Sequence, residues 1–101
     1  MNEIEALAII ENHLLSENSI LVKMRCREGL DEIAHTELLE AMKYLTEIYK
    51  NSTLVPRRLA LAFVDVSNFF FINESLYSID DLKRMEIAAQ EILELANILF
   101  D

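Results

Sequence analysis

In 101 residues the chain holds one cysteine, one proline, one glycine and no tryptophan. With no second thiol to pair with, Cys26 cannot close an internal disulfide, and the expected compartment is a reducing cytoplasm. The opening Met1-Asn2-Glu3-Ile4-Glu5 puts no positive charge ahead of an apolar stretch, so no secretory leader is expected. Apolar runs such as Phe69-Phe70-Phe71-Ile72 fall far short of the roughly 18 residues that suggest a membrane span. Glycine-rich phosphate loops, a nucleophile elbow and zinc-ligand clusters are all missing. We therefore expect no enzyme activity, no cofactor and no metal.

Basic residues are scarce as well. Nine Lys and Arg stand against eighteen Asp and Glu, for a net charge of -9. The first base is Lys23 and the last is Arg84, so both ends of the chain are acidic. Nucleic acid and anionic lipid bind where a protein supplies cations that displace counterions, so neither is an expected partner. A strongly negative surface favours a basic partner.

Apolar residues make up 52% of the chain and charged residues 27%, the balance of a globular protein. A domain of this length buries roughly two-thirds of the surface its unfolded chain exposes, and one domain over residues 1–101 is expected. Asn2 can cap a first helix with Glu3 and Glu5 in its opening turn, where negative charge suits the helix dipole. Ile4, Leu7, Ala8, Leu14 and Leu15 recur in it at helical spacing, and Ser16-Glu17-Asn18-Ser19 ends it. A short second helix over 20–28 should stop at Gly29, or else continue through it at a cost of about 1 kcal/mol relative to alanine.

Asp31 is placed to cap a long third helix with an inward stripe of Ile33, Leu38, Ala41, Met42, Leu45, Ile48 and Tyr49. Pro56 suits the first turn of a fourth, in which Leu59, Ala62, Phe63, Val66 and Phe70 follow at spacings of three and four. That segment is apolar on most sides and reads as the central, most buried helix. Ser78 with Asp81 opens the last helix, where Leu82, Met85, Ala89, Ile92, Ala96 and Leu99 form the apolar stripe. No long segment alternates with a period of two. The pattern predicts an all-α protein, an antiparallel four- or five-helix bundle.

Few residues suggest chemistry. Glu32 and His35 have the Glu-x-x-His spacing of di-iron bundles, but His13 has no acid three residues before it to supply a second copy, and a surface position is expected for His35. Cys26 lies between Arg25 and Arg27, which favour thiolate, yet a lone helical cysteine is usually a small buried hydrophobe. Asp65 stands amid Leu61-Ala62-Phe63-Val64 and Val66; it needs a cation such as Arg57, Arg58, Lys83 or Arg84, exposure beside Asn68, or a role in binding. Phe69, Phe70 and Phe71 cover most of a helix circumference, so most of these rings are expected in the core, with one exposed or meeting a partner.

Glu86, Glu91, Glu94 and Asp101 all follow Arg84, the last base of the chain, with no base among them, and acids near a helix C-terminus oppose its dipole. Glu3, Glu5, Glu11 and Glu17 would extend them into one acidic face if the terminal helices were adjacent. Such a face steers a basic partner and can occupy a phosphate-binding cleft, as an inhibitor of a nuclease would.

The Val55-Pro56 opening, Leu59-Ala60, Phe63-Val64-Asp65, Ser75-Leu76-Tyr77 and the final helix from Ile79 give residues 30–100 a pattern with a counterpart. The chain resembles small all-helical bacterial immunity proteins of contact-dependent inhibition and related polymorphic-toxin systems. More distantly it is similar to the immunity proteins of pediocin-like bacteriocins, which are commonly basic where this chain is acidic. The resemblance implies a cytoplasmic protein that neutralises one toxin. Together these features predict a non-enzymatic immunity protein, monomer or homodimer, that binds a basic toxin domain, a nuclease by its chemistry, through Glu3, Glu11, Asp65, Glu86, Glu91 and Glu94. The alternative is a structural or regulatory bundle that self-associates through Phe69, Phe70 or Phe71.

Overall fold

The computed structural model describes residues 1–64, 66 and 74–101. The chain forms helices α1 (Glu3–Leu14), α2 (Ile20–Arg25), α3 (Glu32–Tyr49), α4 (Arg57–Val64) and α5 (Ile79–Leu99), with a 3-10 turn at Glu74–Leu76 before the last. No strand occurs among the described residues, and the all-α bundle is the architecture.

Local chemistry sets most of the boundaries. Asn2 accepts a hydrogen bond from the Glu5 amide, Asp31 from that of Ala34 and Ser78 from that of Asp81, each satisfying an amide that the first turn leaves unpaired. Ser19 does the same for Val22 in α2. Pro56 sits one residue before α4, and its carbonyl accepts from the Leu59 and Ala60 amides. It acts as the capping residue of α4, just outside the first turn.

Helix α2 ends earlier than the sequence suggests. The Glu28 amide returns to the Lys23 carbonyl at 2.9 Å, closing a six-residue loop at the helix terminus. Arg27, at φ 66°, takes the left-handed position, and Gly29, at φ 75°, takes a second one. Glycine is the default there, but the fold stops the helix before it. The reason is tertiary: the Tyr77 hydroxyl donates to the Met24 carbonyl and accepts from the Gly29 amide at 3.1 Å. Its ring comes from 48 residues downstream of Gly29 and pins both sides of the turn.

Helix α3 is central among the described helices, while the fourth segment beyond Val66, expected to be the most buried, lies outside the described residues. Helix α3 packs against both α1 and α5, while α4 lies against α1. Eighteen residues let α3 reach both neighbours, whereas α4, with eight, leaves Leu61 49% and Val64 67% exposed. Ala34, His35, Leu38, Ala41, Met42 and Leu45 form the inward stripe of α3. Ile33 is 75% exposed and Ile48 40%, so the true stripe is rotated from the expected one. A similar rotation affects α1: Ala6 and Ile10 are fully buried and Ile4 is 81% exposed. Apolar residues surround the axis over Ile4 to Ile10, so periodicity cannot choose the face. Ala6, with no side chain beyond Cβ, lets the neighbouring helix approach there.

Directions follow from the cross-helix bonds. Glu3 meets Tyr49 and His13 meets Glu37, so α1 and α3 run antiparallel. Glu32 meets Arg84 and His35 meets Glu91, so α3 and α5 run parallel, with α4 crossing between them in sequence. No described helix is long and apolar enough to cross a membrane.

Candidate partner-binding surface

Polar side chains that join helices account for much of the charge. Arg84 on α5 grips Glu32 on α3 with both sides of its guanidinium, Nε to Oε2 at 2.9 Å and Nη2 to Oε1 at 2.7 Å. Its Nη1 donates to Glu91 Oε1 at 3.1 Å, and the same oxygen lies 3.3 Å from His35 Nε2. A carboxylate only accepts, so Nε2 carries the proton in that bond. His35 is thus not at the surface but 2% exposed, because it lies on the same stripe as Leu38 and Met42 and Glu91 supplies its partner. Glu32 and His35 do share a helical face, as their spacing indicates, but the cation between the acids is the Arg84 guanidinium. Among the described residues no group of three His, Cys, Asp or Glu is arranged to hold a metal ion.

The network is held ionised by its own geometry. The Arg84 hydrogen bond keeps the Glu32 carboxyl below its ordinary value. Burial alone would raise Glu91, but the bonds from Arg84 and His35 outweigh it and the net direction is down. The bond to Glu32 leads in pushing the Arg84 guanidinium up. A second tie joins α2 to the start of α3, where Lys23 Nζ donates to Asp31 Oδ2 at 2.7 Å. Lys23, and then the Ala34 amide, lower Asp31, and the same ion pair raises Lys23. Burial, helped by the bond to Glu3, pushes Tyr49 up to about 12.

The acids expected at the partner surface fall into three groups. Glu3 accepts the Tyr49 hydroxyl at 2.6 Å, Glu11 accepts Arg58 Nε at 2.7 Å, and Glu91 belongs to the Arg84 network. These acids tie helices together. Glu86 and Glu94 are exposed on α5 and make no ion pair or hydrogen bond among the described residues. Asp65, like Asn68, Phe69, Phe70 and Phe71, lies outside the described residues.

The terminal helices do not build one continuous acidic face by packing together. The principal seams join each of them to α3, and α1 and α5 share no comparable seam. Cys26 is exposed and not a buried hydrophobe, because α2 ends at Arg25 and the chain turns away from the core at the cap. Two residues matter most to the arrangement, in roles the sequence does not point to: it suggests Arg84 only as a partner for Asp65, and Tyr77 only within a family pattern. Tyr77 pins the α2–α3 turn, with no local signal to show it. Arg84 left a weak signal, since it lies seven residues before Glu91 and so on the same face of α5.

A concave site of about 260 Å³ opens at the network, lined by Glu28, Gly29, Leu30, Tyr77, Asp81 and Met85 together with Glu32 and Arg84 of the network itself. No protein-family model matches the chain, and no curated protein and no solved structure is found to be similar to it.

Proposed function

We propose that the chain is a non-enzymatic, cytoplasmic immunity protein that binds a basic toxin domain, a nuclease by its chemistry, and holds it inactive. One observation supports the reading: Glu86 and Glu94 are exposed on α5 and have no ion pair or hydrogen bond among the described residues. Asp80 and Asp81 also lie exposed on α5, but in its first turn, where the helix dipole favours them. Glu94 gains nothing from the dipole. Acids without a structural role on a rigid, well-packed helix form a surface that attracts a basic partner and speeds its encounter.

The test is protection. The reading expects a basic C-terminal toxin domain in a neighbouring gene, and co-expression of the chain with it should restore growth to a sensitive host. A Glu86→Lys/Glu94→Lys double variant should lose that protection while its helical circular dichroism is unchanged. Full protection by the charge-reversed variant would refute the electrostatic mechanism. A second reading, self-association, draws on the exposed Leu61 and Val64 of α4. It would be favoured by a homodimer whose formation ignores salt.

A further inference from the structure

At the end of the bundle where α3 and α5 both terminate, a groove of about 510 Å³ runs between the last turns of the two helices and the loop after α3. We infer that this groove is the docking site for an extended segment of the basic partner that carries an apolar side chain next to lysine or arginine. The inference rests on the proposed basic partner and names where it is held.

Three observations converge on it. The parallel course of α3 and α5 brings two helix C-termini to one place, each equivalent to roughly half a negative charge; neither last turn contains a base, and Lys50 follows as the C-cap of α3. Asp101 adds a carboxylate to the lining. Lys50 is the one cation among the lining residues, and its ammonium lies 3.7 Å from Glu47.

The lining is mixed: Thr46, Lys50, Ser52, Thr53 and Asp101 stand beside apolar Val55, Ile98 and Phe100. Ile98 is 58% exposed and Phe100 40%. Phe63 packs edge-on against Phe100 with ring centroids 5.5 Å apart, which fixes that ring. Ser52 Oγ donates to the Leu54 carbonyl at 2.7 Å and accepts from its amide at 3.2 Å, so the loop that supplies Ser52, Thr53 and Val55 is tied to itself.

Exposed apolar side chains held rigid beside a negative helix end suit a ligand that is apolar and cationic at once. The volume lies within the range of about 300–1,000 Å³ typical of ligand sites. A second copy of this chain is the wrong occupant, because it would bring a net charge of -9 to an already negative end.

The probe is a synthetic peptide of alternating leucine and lysine, compared with a lysine-only peptide and an alternating leucine–glutamate peptide, each titrated into the isotope-labelled chain. The leucine–lysine peptide should shift the backbone amides of residues 50–55 and 98–101 and bind at least about tenfold more tightly than either control. Ile98→Glu, at an exposed lining position, should weaken it about tenfold or more although it adds negative charge. Binding that follows lysine content alone, or shifts that cluster at Glu86 and Glu94, would overturn the groove and leave the basic-partner reading standing. Failure of both cationic peptides to bind would overturn the groove, and the protection assay would then decide the reading itself. Concentration-dependent shifts at the groove without peptide would make a second copy its occupant and overturn the inference.

Discussion

Removing one oxygen atom from Tyr77 should loosen the junction of α2 and α3. The hydroxyl donates to the Met24 carbonyl at the end of α2 and accepts from the Gly29 amide at 3.1 Å. Tyr77→Phe keeps the ring and deletes both bonds, leaving one donor and one acceptor to seek water. An intramolecular hydrogen bond contributes about 0.5–1.5 kcal/mol net, so two give about 1–3 kcal/mol. Tyr77 is half-buried, and water can replace part of what is lost, so about 1–2 kcal/mol is the expected cost. For a chain of this size that lowers Tm by roughly 5–15 °C. Thermal and urea denaturation followed by circular dichroism would measure it. Amide hydrogen exchange gives the local reading: the Gly29 amide should be protected in the parent chain and exchange at least about tenfold faster in the variant. An unchanged Tm together with unchanged Gly29 exchange would refute the bridge, and with it the explanation for the early end of α2.

The helix registers make a contrasting pair. Leu38→Ala, at a fully buried position of α3, should cost about 2–5 kcal/mol, whereas Ile33→Ala, at a position 75% exposed, should stay within about 0.5 kcal/mol; equal costs in denaturant melts would show the stripe to be misplaced. Acid should weaken the α3–α5 junction. Glu32 and Glu91 are held below their ordinary value of 4.5 in the folded state, so their contribution is present above that pH and is lost as pH falls through the folded values. Arg84→Gln should flatten the stability profile below pH 4.5, and a profile that keeps its slope would exclude the network as the source. Arg27→Gly relieves a non-glycine residue at φ 66°, worth roughly 1–2 kcal/mol, against an unfolded-state entropy cost of about 0.4–1 kcal/mol. A gain of up to about 1 kcal/mol is expected, and a clear loss of stability would mean that the Arg27 side chain is needed in the turn.

Capping residues and periodicity determined by themselves that this protein is helical and where most of its helices begin. Asn2, Ser19, Asp31 and Ser78 carry that information locally, since a side-chain oxygen two or three residues before an unpaired amide needs no distant partner. The apolar stripe of α5 was legible for the same reason: its polar positions leave one face to bury. Tertiary structure decided what local signals leave degenerate. In α1, apolar residues surround the axis, and only packing on α3 and α4 selected Ala6 and Ile10 over Ile4. A lone polar residue such as His35 can be buried only because Glu91, 56 residues away, arrives to bond it. Tyr77 ended α2 in the same way, from outside the segment it controls. Composition alone sets the amount and sign of charge on the acidic surface. Whether an acid ties two helices, as Glu3, Glu11 and Glu91 do, or stays unpaired, as Glu86 and Glu94 do, depended on where the bases of other helices came to rest. Charge is a property of composition, but pairing is a property of distance.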